Sequence, residues 1–345
     1  MVPLLVLALT AACGTASTSH RPSSGVTPAS TDTPAVATPS PSTVASAGAT
    51  ASSVATAESF SCRLPIVINT GPTSVPGFIS FPSGSYAADP GGSIKSKGFG
   101  LAYDRGYKRW LPVDWRHVSD DGTQYAYVTY SDTVPSPGAY SVIHIVNVAT
   151  GADRVVTRSG QYVINDYAGI GVYLSAWIPG RDGPGPQIGW VLDPSTGGVR
   201  ELPGGQKYGY WVGSGAGWRT DYNPADPTVH QGMTGPNRLT RVDLASGTEA
   251  TWLYREGADW VQVLGVDKEG HPIVSSGTGQ AVAVLLLTDA THRSQLFSAT
   301  GFMNGAISDS HGIWFNNESA TYLYTASSGL REVASTGGQI AGGCH

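Results

Sequence analysis

The chain has 345 residues, a formal net charge of -5 and only 13% charged residues, together with 45 glycines and 23 prolines. So many turn-forming residues and so few charges are typical of short strands joined by turns, and they argue against a helical protein. The weak negative charge, without a block of basic residues, excludes the strongly basic surface that nucleic acid or an anionic membrane attracts.

The chain opens with an apolar segment, residues 1–13, that ends at Cys13. The segment has the length of a signal peptide and is too short to cross about 30 Å of hydrocarbon as a helix. The small residues leading into Cys13 and Gly14 resemble the lipobox of bacterial lipoproteins, although Thr10 stands where an aliphatic residue is usual and no Lys or Arg precedes the run. The resemblance implies export and a lipid on Cys13, which would anchor the protein on the outer side of the cytoplasmic membrane or at the cell surface. Ordinary secretion is the alternative.

The linker after this segment, residues 14–59, consists almost entirely of Ser, Thr, Ala, Pro, Gly and Val. Such a composition cannot bury enough apolar surface to offset the entropy lost on ordering the chain. We predict a disordered tether here, extended locally by its prolines. The folded part is then one domain over residues 60–345.

Two further cysteines, Cys62 and Cys344, lie at the two ends of this folded part. An exported protein permits a disulfide. A ring-shaped fold has a specific use for such a bond, because its first and last repeats must meet and stay together. We predict a Cys62–Cys344 disulfide, with two unpaired thiols as the alternative.

Two kinds of hairpin alternate along the folded part. The first kind has an apolar strand, a polar turn with glycine, and a strand of aromatic and aliphatic residues, as in VSDDGTQYAYV; its turns lie around Gly84, Gly122, Gly169, Gly215, Gly270 and Gly312. The second kind has a turn rich in Asp, Ser, Thr and Gly, as in WVLDPSTGGVRELP; its turns lie around Gly106, Gly151, Gly197, Gly247, Thr291 and Gly329.

One hairpin of each kind makes a four-stranded antiparallel unit of roughly 40 to 50 residues, the size of a propeller blade. Each unit alone exposes apolar faces, which leave water only when neighbours pack on both sides. We therefore predict an all-β fold, a six-bladed β-propeller with blades near residues 60–114, 115–159, 160–205, 206–257, 258–300 and 301–340. A β-sandwich is one alternative, and seven blades with a divergent unit around residues 131–138 is another.

The segment VSDDGTQYAYV and the turn from Asp193 to Gly197 resemble the repeats of TolB-like extracytoplasmic bacterial propellers. The arrangement as a whole is similar to bacterial lipoproteins in which a Ser/Thr-rich tether precedes a propeller bracketed by cysteines. This resemblance covers residues 60–345. It implies an architecture and an address outside the cytoplasm, and no particular activity.

Propellers bind ligands at the mouth of the central channel or on rim loops. The longest stretch without a strand pattern runs from Trp218 to Arg238 and contains Asp221, and loops of that length are often functional. Together with aromatic residues just before it, this loop predicts a binding surface for a sugar or peptide, with candidate residues Tyr208, Tyr210, Trp211, Tyr222, Asn223, Asp226 and His230. Alternatively, the aromatic residues pack between blades and the loop covers a sheet edge.

Acidic residues recur at turns of the first kind, namely Asp120, Asp121, Asp166, Asp267 and Asp309. A ring of carboxylates can hold a cation or flank a glycosidic bond. Aspartate is also favoured in tight turns because its side chain hydrogen-bonds the nearby backbone, and we favour that explanation. His117 and His311 flank such turns and are placed to approach the channel. No zinc or nucleophile motif stands out, so we predict no metal, no cofactor and no catalytic residue.

These features favour a non-catalytic, surface-tethered, monomeric propeller that serves as a binding or scaffold module for a protein or glycan ligand. An extracytoplasmic carbohydrate-active enzyme, a glycoside hydrolase or lyase with acidic residues at the channel mouth, is an alternative from another class. An envelope assembly protein is a third. We expect contact with the membrane only through the lipid anchor, and none with nucleic acid.

Overall fold

A computed structural model of the chain describes residues 60–70, 73–98, 100–131, 139–169, 171–177, 188–206, 211–223, 235–256 and 260–345. These residues form β-strands and two 3-10 helices, η1 (Pro90–Gly92) and η2 (Trp115–His117), and none of them lies in an α-helix. No helix within these ranges is long and apolar enough to cross a membrane. Cys13, the predicted signal segment and the predicted linker lie outside the described residues.

Five blades follow one another along the chain as antiparallel sheets whose consecutive strands pair. The second blade contains β6 (Gln124–Tyr130), β7 (Tyr140–Asn147) and β8 (Asp153–Ser159). The third contains β9 (Gln161–Ala168), β10 (Gly171–Trp177), β11 (Ile188–Leu192) and β12 (Val199–Gln206). The fourth contains β13 (Trp211–Gly213), β14 (Ala216–Asp221), β15 (Arg238–Asp243) and β16 (Glu249–Tyr254). The fifth contains β17 (Trp260–Val266), β18 (Pro272–Thr278), β19 (Ala281–Leu287) and β20 (Arg293–Thr300). The sixth contains β21 (Gly305–Asp309), β22 (Gly312–Asn316), β23 (Thr321–Thr325) and β24 (Gly329–Ala334).

The first blade, which we call the seam blade, is assembled from both ends of the folded part. Its sheet order is β25-β1-β2-β3. The N-terminal end supplies β1 (Cys62–Thr70), β2 (Thr73–Phe81) and β3 (Ser85–Ala88), and the C-terminal end supplies β25 (Gln339–Ile340). A separate two-stranded ladder comes next in the chain, formed by β4 (Ala102–Asp104) and β5 (Arg109–Leu111).

An apolar core lies between every two neighbouring sheets. Trp314 of the sixth blade packs with Leu64 of the seam blade, and Phe78 of the seam blade packs with Trp110 of the ladder. Further cores join the ladder to the second blade and then each blade to the next, as far as the sixth. Because this succession of cores returns to its starting sheet, the blades form a closed ring in which each covers the apolar face of its neighbour.

The propeller predicted from the hairpins is therefore confirmed, and stacking of two sheets as a sandwich is not observed among the described strands. Six sheets of three or four strands correspond to the six predicted blades. The predicted first unit, residues 60–114, is divided in the structure, because β25 completes the seam blade and the segment 102–111 becomes the separate ladder. The turn at Gly84 consequently joins β2 to β3, the third and fourth strands of the seam blade counted from the channel. In the other four-stranded blades, turns of the second kind join the third and fourth strands. Most of the segment proposed for a seventh unit, residues 132–138, lies outside the described residues.

The predicted disulfide between Cys62 and Cys344 is also confirmed. The two Cα atoms lie 5.7 Å apart across a sequence separation of 282. Both cysteines are buried in the core between the sixth blade and the seam blade. Beside the bond, Arg63 N donates to His345 O at 2.7 Å and His345 N donates to Arg63 O at 3.1 Å. The ring is thus closed by a covalent bond together with strand pairing.

Turns of the second kind are held by their own side chains. Asp193 Oδ1 accepts a hydrogen bond from Ser195 N, Asp243 Oδ1 from Ser246 N and Asp289 Oδ1 from Thr291 N. Hydrogen bonds from Ser195 and Thr196 lower the pKa of Asp193 below its usual range. Gly197 then adopts a φ of 77°, a left-handed conformation that glycine reaches at little cost. The repeated Asp, Ser/Thr and Gly of these turns is thus explained by local hydrogen bonding.

Candidate functional site

The first strands of the blades surround a central channel. β9 contacts β13, β13 contacts β17, β17 contacts β21, and β21 contacts β25. A cavity of about 210 Å³ lies among them, lined by residues of these strands and of η2, including Trp211, Leu264, Ile307 and Gln339. Between the ladder and the second blade, the segment that lies at the channel is η2. It takes the place of the first strand, which the three-stranded second blade lacks.

Asp114 fixes η2 in place. Its Oδ1 accepts a hydrogen bond from Arg116 N at 3.0 Å, which caps the short helix. Its Oδ2 accepts a hydrogen bond from Gln339 Nε2 at 2.7 Å, and Gln339 belongs to β25. Both carboxylate oxygens are therefore engaged, and η2 is connected to the seam blade across the channel.

Arg116 is the centre of the polar contacts in the channel. Its Nη2 lies 3.5 Å from Asp166 Oδ2, and its guanidinium carbon lies 3.7 Å from the centroid of the Trp211 ring. Trp115 and Trp211 face each other with ring centroids 5.9 Å apart. The planar guanidinium is thus held between a carboxylate and an indole face, an arrangement that combines an ion pair with a cation–π contact.

Asp166 joins the third blade to the fourth. Its Oδ2 accepts a hydrogen bond from Val212 N at 2.9 Å, and its Oδ1 accepts one from Tyr167 N at 3.1 Å. Burial raises the pKa of Asp166 to about 6, against the lowering effect of Arg116 and of the two backbone donors. Burial also lowers the pKa of the nearby His117 imidazole. The channel therefore holds a carboxyl group whose pKa burial keeps above the usual range of aspartate.

A larger cavity of about 540 Å³ opens at the end of the channel where the first-kind turns lie, and we call it the channel-mouth cavity. Its lining combines aromatic rings, carboxylates and guanidinium groups, among them Tyr103, Tyr107, Trp115, Arg105, Arg116, Asp104, Asp120, Asp121 and Asp166. The Tyr107 side chain is 45% exposed. Cavities of this volume accommodate small organic ligands, and convergent polar groups fix the orientation of such ligands.

The acidic residues of the first-kind turns make the hydrogen bonds expected of turn residues. Asp121 Oδ1 accepts from Thr123 N, Asp267 Oδ1 from Glu269 N and Asp309 Oδ1 from His311 N, each donor lying two residues further on. Asp120 Oδ2 reaches instead to Gly169 N of the third blade, at 2.7 Å. Asp166 likewise reaches the next blade. The turn explanation therefore holds for Asp121, Asp267 and Asp309, whereas Asp120 and Asp166 accept hydrogen bonds from the next blade. Asp309 Oδ2 also accepts a hydrogen bond from Cys344 N, at the C-terminal end of the chain.

Three of the seven predicted ligand-binding residues lie within the described ranges. Trp211 lines the channel, whereas Tyr222 and Asn223 follow the far end of β14. Trp211 lies opposite Trp218 in the sheet. Tyr222 lies four residues beyond Trp218 along the extended chain, which places it about 13 Å from the position of Trp211 along the strand direction. The structure does not bring these residues together. The other four, Tyr208, Tyr210, Asp226 and His230, lie outside the described residues, and a ligand at the loop stays a prediction.

The base of that loop is fixed by polar contacts. Asp221 accepts hydrogen bonds from Arg219 Nε at 2.8 Å and from Arg238 Nε at 2.6 Å. Asn223 N donates to the buried Asn237 side chain at 3.0 Å. Asp221 therefore has a structural role in the fourth blade.

Among the described residues, one group has the composition of a cation site: Asp267, Glu269 and His271, whose ligand atoms lie within 4.8 Å of one another. Asp267 already accepts hydrogen bonds from the backbone of Glu269 and from both the backbone and the ring of His271. The three side chains lie close together because they belong to one hydrogen-bonded turn, so we assign no metal to them.

Sequence reasoning placed His117 near the channel and assigned Trp211 to the loop surface, but it missed Arg116 and its contact with Asp166. A signal was present in the segment Trp115-Arg116-His117, which begins the predicted second unit. An arginine and a histidine are unusual in the first strand of a blade, where side chains are normally apolar. Two adjacent basic residues there indicate a polar channel lining.

The fold defines the chain as a β-propeller protein. No protein-family model and no curated protein matches its sequence. Among solved structures, the oligogalacturonate lyase in complex with manganese is 11% identical, with a TM-score of 0.44 over 76% of this chain and 71% of that chain. A protein from Lactobacillus plantarum is 13% identical, with a TM-score of 0.44 over 81% and 98% of the two chains. The β-propeller domain of the Trilobed protease from Pyrococcus furiosus is 8% identical, with a TM-score of 0.34 over 80% and 98%.

The chain spans only 38% of the Pyrococcus horikoshii acylaminoacyl peptidase, to which it is 13% identical with a TM-score of 0.41 over 61% of its own length. These structure neighbours include enzymes as well as a propeller domain alone. Likenesses this distant carry no argument about activity, which has to come from the site itself.

Proposed function

We propose that the protein is a non-catalytic binding propeller, exported and tethered by its N-terminal segment, that takes a glycan in the channel-mouth cavity. The observation that supports this function most directly is the lining of that cavity, in which exposed and part-buried aromatic rings alternate with carboxylates and guanidinium groups on rigid turns. Aromatic faces pack against the C–H faces of a sugar, while fixed oxygens and N–H groups pair with its hydroxyls.

Rigidity favours binding. Asp104 Oδ1 accepts a hydrogen bond from Tyr107 N at 2.7 Å, so the turn that presents Tyr107 is held from beneath. Asp120 and Asp166 are held in turn by backbone donors of the third and fourth blades. Groups positioned in this way lose little entropy when a ligand docks, which raises affinity.

The test is a glycan-array screen of the purified full chain, followed by calorimetry on the glycans that bind. Tyr107→Ala is the informative variant, and Tyr140→Ala on β7 is its matched control, because the two tyrosines are 45% and 44% exposed. We expect Tyr107→Ala to weaken binding about tenfold or more, which corresponds to about 1.4 kcal/mol. Equal effects of the two variants, or an array without any bound glycan, would refute the proposal.

A second candidate, a carbohydrate-active enzyme at the same cavity, is favoured by one specific observation. Two carboxyl groups of the lining have pKa values displaced in opposite directions: burial raises that of Asp166 to about 6, and hydrogen bonds from Thr123 and Ser119 lower that of Asp121. Such divergence suits an acid and its partner in glycoside cleavage. Incubating the array hits with protein and analysing them by mass spectrometry distinguishes the two functions. Cleavage products that form with the wild type and not with Asp166→Asn identify an enzyme. Glycans that are recovered intact from the wild type identify a binding protein.

The tether and the loop belong to the same proposal. Acylation at Cys13 is tested by metabolic labelling with an alkyne fatty acid, which we expect to label the wild-type chain and not Cys13→Ala. The loop contributes to binding if deletion of residues 222–235 weakens it; unchanged affinity would remove the loop from the site. Capture of an envelope protein by the wild type, in place of any glycan, would instead indicate the assembly role.

A further inference from the structure

A second cavity, of about 340 Å³, lies beside η2 between the second and third blades. We call it the side cavity. Among the described lining residues, Arg116 is the one that it shares with the channel-mouth cavity. Its remaining lining comes from β6, β9, His117 of η2, the segment before η2 and the segment before the short ladder. Apart from Arg116, the side cavity is therefore distinct from the channel-mouth cavity, and the inference drawn from it does not rest on the proposed glycan function.

One wall of the side cavity is apolar and aromatic. Tyr127, Val128 and Tyr130 of β6 contribute to it, together with Val163 and Ile164 of β9. Tyr130 and Val163 are each 45% exposed, although most large apolar side chains of the described part are buried. The Tyr130 hydroxyl donates to Tyr162 O at 2.7 Å, which fixes the ring against the third blade. Exposed apolar groups held rigidly at one cavity provide a surface that a ligand can cover.

The other wall is polar and carries two cations, Lys97 and Arg116, beside the His117 ring. Lys97 is one of only five lysines in the chain, and its Nζ lies 5.7 Å from the centroid of the Tyr127 ring. No described carboxylate lies within ion-pair distance of that Nζ. A scarce cation is thus placed at the edge of the cavity over an aromatic face.

Among the described residues that line the side cavity, the one carboxylate is Asp114, whose two oxygens already accept hydrogen bonds from Arg116 N and Gln339 Nε2. Arg116 itself lies 3.5 Å from Asp166 Oδ2, so Lys97 is the cation of this wall without a described carboxylate partner. Burial lowers the pKa of the His117 imidazole, which lies beside Ile164 in the lining. Asn165 adds an amide to the lining. The polar groups at this wall therefore favour an anion over a cation.

We propose that the side cavity binds a small organic anion, a carboxylate or phosphate joined to an apolar body. The anionic group lies at Lys97 and Arg116, and the apolar body covers Tyr130 and Val163. A bare inorganic anion leaves the aromatic wall in water, and a neutral apolar molecule leaves Lys97 without a counter-charge. The combination of the two walls selects a ligand that has both features.

Binding of benzoate, phenyl phosphate, benzyl alcohol and inorganic phosphate to the full chain, measured by ligand-observed NMR and calorimetry, tests this inference. We expect the two aromatic anions to bind at least about tenfold more tightly than benzyl alcohol or inorganic phosphate, a ratio typical of one charge-assisted contact. The stronger of benzoate and phenyl phosphate identifies the anionic group that the site prefers. Equal affinity for benzyl alcohol and the anions would overturn the proposal.

Two lysine variants separate the side cavity from general surface charge. Lys97→Gln removes the cation at the cavity, and Lys95→Gln removes an exposed lysine two residues away that does not line it. We expect Lys97→Gln to weaken anion binding at least about fivefold and Lys95→Gln to leave it unchanged. Equal effects would assign the binding to net charge and refute the site. Glycan affinity is measured on the same variants, and we expect neither to alter it, so failure of one proposal is distinguishable from failure of the other.

Discussion

Removal of the Cys62–Cys344 bond is predicted to lower the stability of the ring without abolishing its fold. The sequence separation of the two cysteines is 282. For a loop of that length the chain-entropy relation gives an upper limit of about 5 to 6 kcal/mol at room temperature. Native disulfides typically contribute about 2 to 5 kcal/mol, so we expect Cys62→Ala/Cys344→Ala to lose an amount in that range.

The fold is expected to survive because other contacts close the ring. Ile340 and Gln339 pair with Ile66 and Val67, and Ala341 N donates to Pro65 O at 2.9 Å. Cys344 N also donates to Asp309 Oδ2 at 2.8 Å, which joins the C-terminal segment to the sixth blade. These backbone contacts do not need the sulfur atoms.

Guanidinium unfolding monitored by tryptophan fluorescence is the assay. Trp314, one of nine tryptophans, is fully buried in the core beside the disulfide, 5.2 Å from the ring of Phe81, so opening of the seam changes its contribution to the fluorescence. A reductant is expected to shift the wild-type curve to that of the double variant and to leave the variant unchanged. If the non-reduced wild type and the variant unfold at the same denaturant concentration, the loop-entropy argument is wrong.

Two further predictions concern a buried carboxyl group and a glycine. The pKa of Asp166 is about 6 in the folded state and about 4 in the unfolded state, so its favourable contribution to the free energy of unfolding is complete below pH 4 and is lost as pH rises through 6. Relative to Asp166→Asn, the free energy of unfolding of the wild type should fall by up to about 3 kcal/mol between pH 4 and pH 7. A difference between the two proteins in urea unfolding that does not change with pH would contradict this. A Cβ on Gly265 would lie 2.3 Å from Ala306 O of the sixth blade, whereas one on Gly98 meets nothing within 4 Å, so Gly265→Ala should cost about 1 to 3 kcal/mol and Gly98→Ala little, as thermal unfolding of the two variants will show.

Much of the fold could be predicted from the sequence because its signals are local. The turn at Asp193 is formed by hydrogen bonds within four residues, and the turn at Asp243 contains the same residue types. The alternation of two such hairpins predicts a blade, and the apolar strands of a blade require neighbours on both faces. The disulfide could be predicted by the same reasoning, because ring closure brings Cys62 and Cys344 together.

What the sequence alone determined is therefore the repeated hairpin and the need for ring closure, both of which depend on contacts between nearby residues or on the pairing of the two ends. Only the tertiary structure decided that β25 completes the seam blade, that residues 102–111 form a separate ladder, and that Arg116 meets Asp166 and Trp211 in the channel. Those three side chains come from different parts of the chain, and no short-range pattern links them. They meet because blades that pack side by side around one axis direct their first strands, and the η2 segment, toward the same centre.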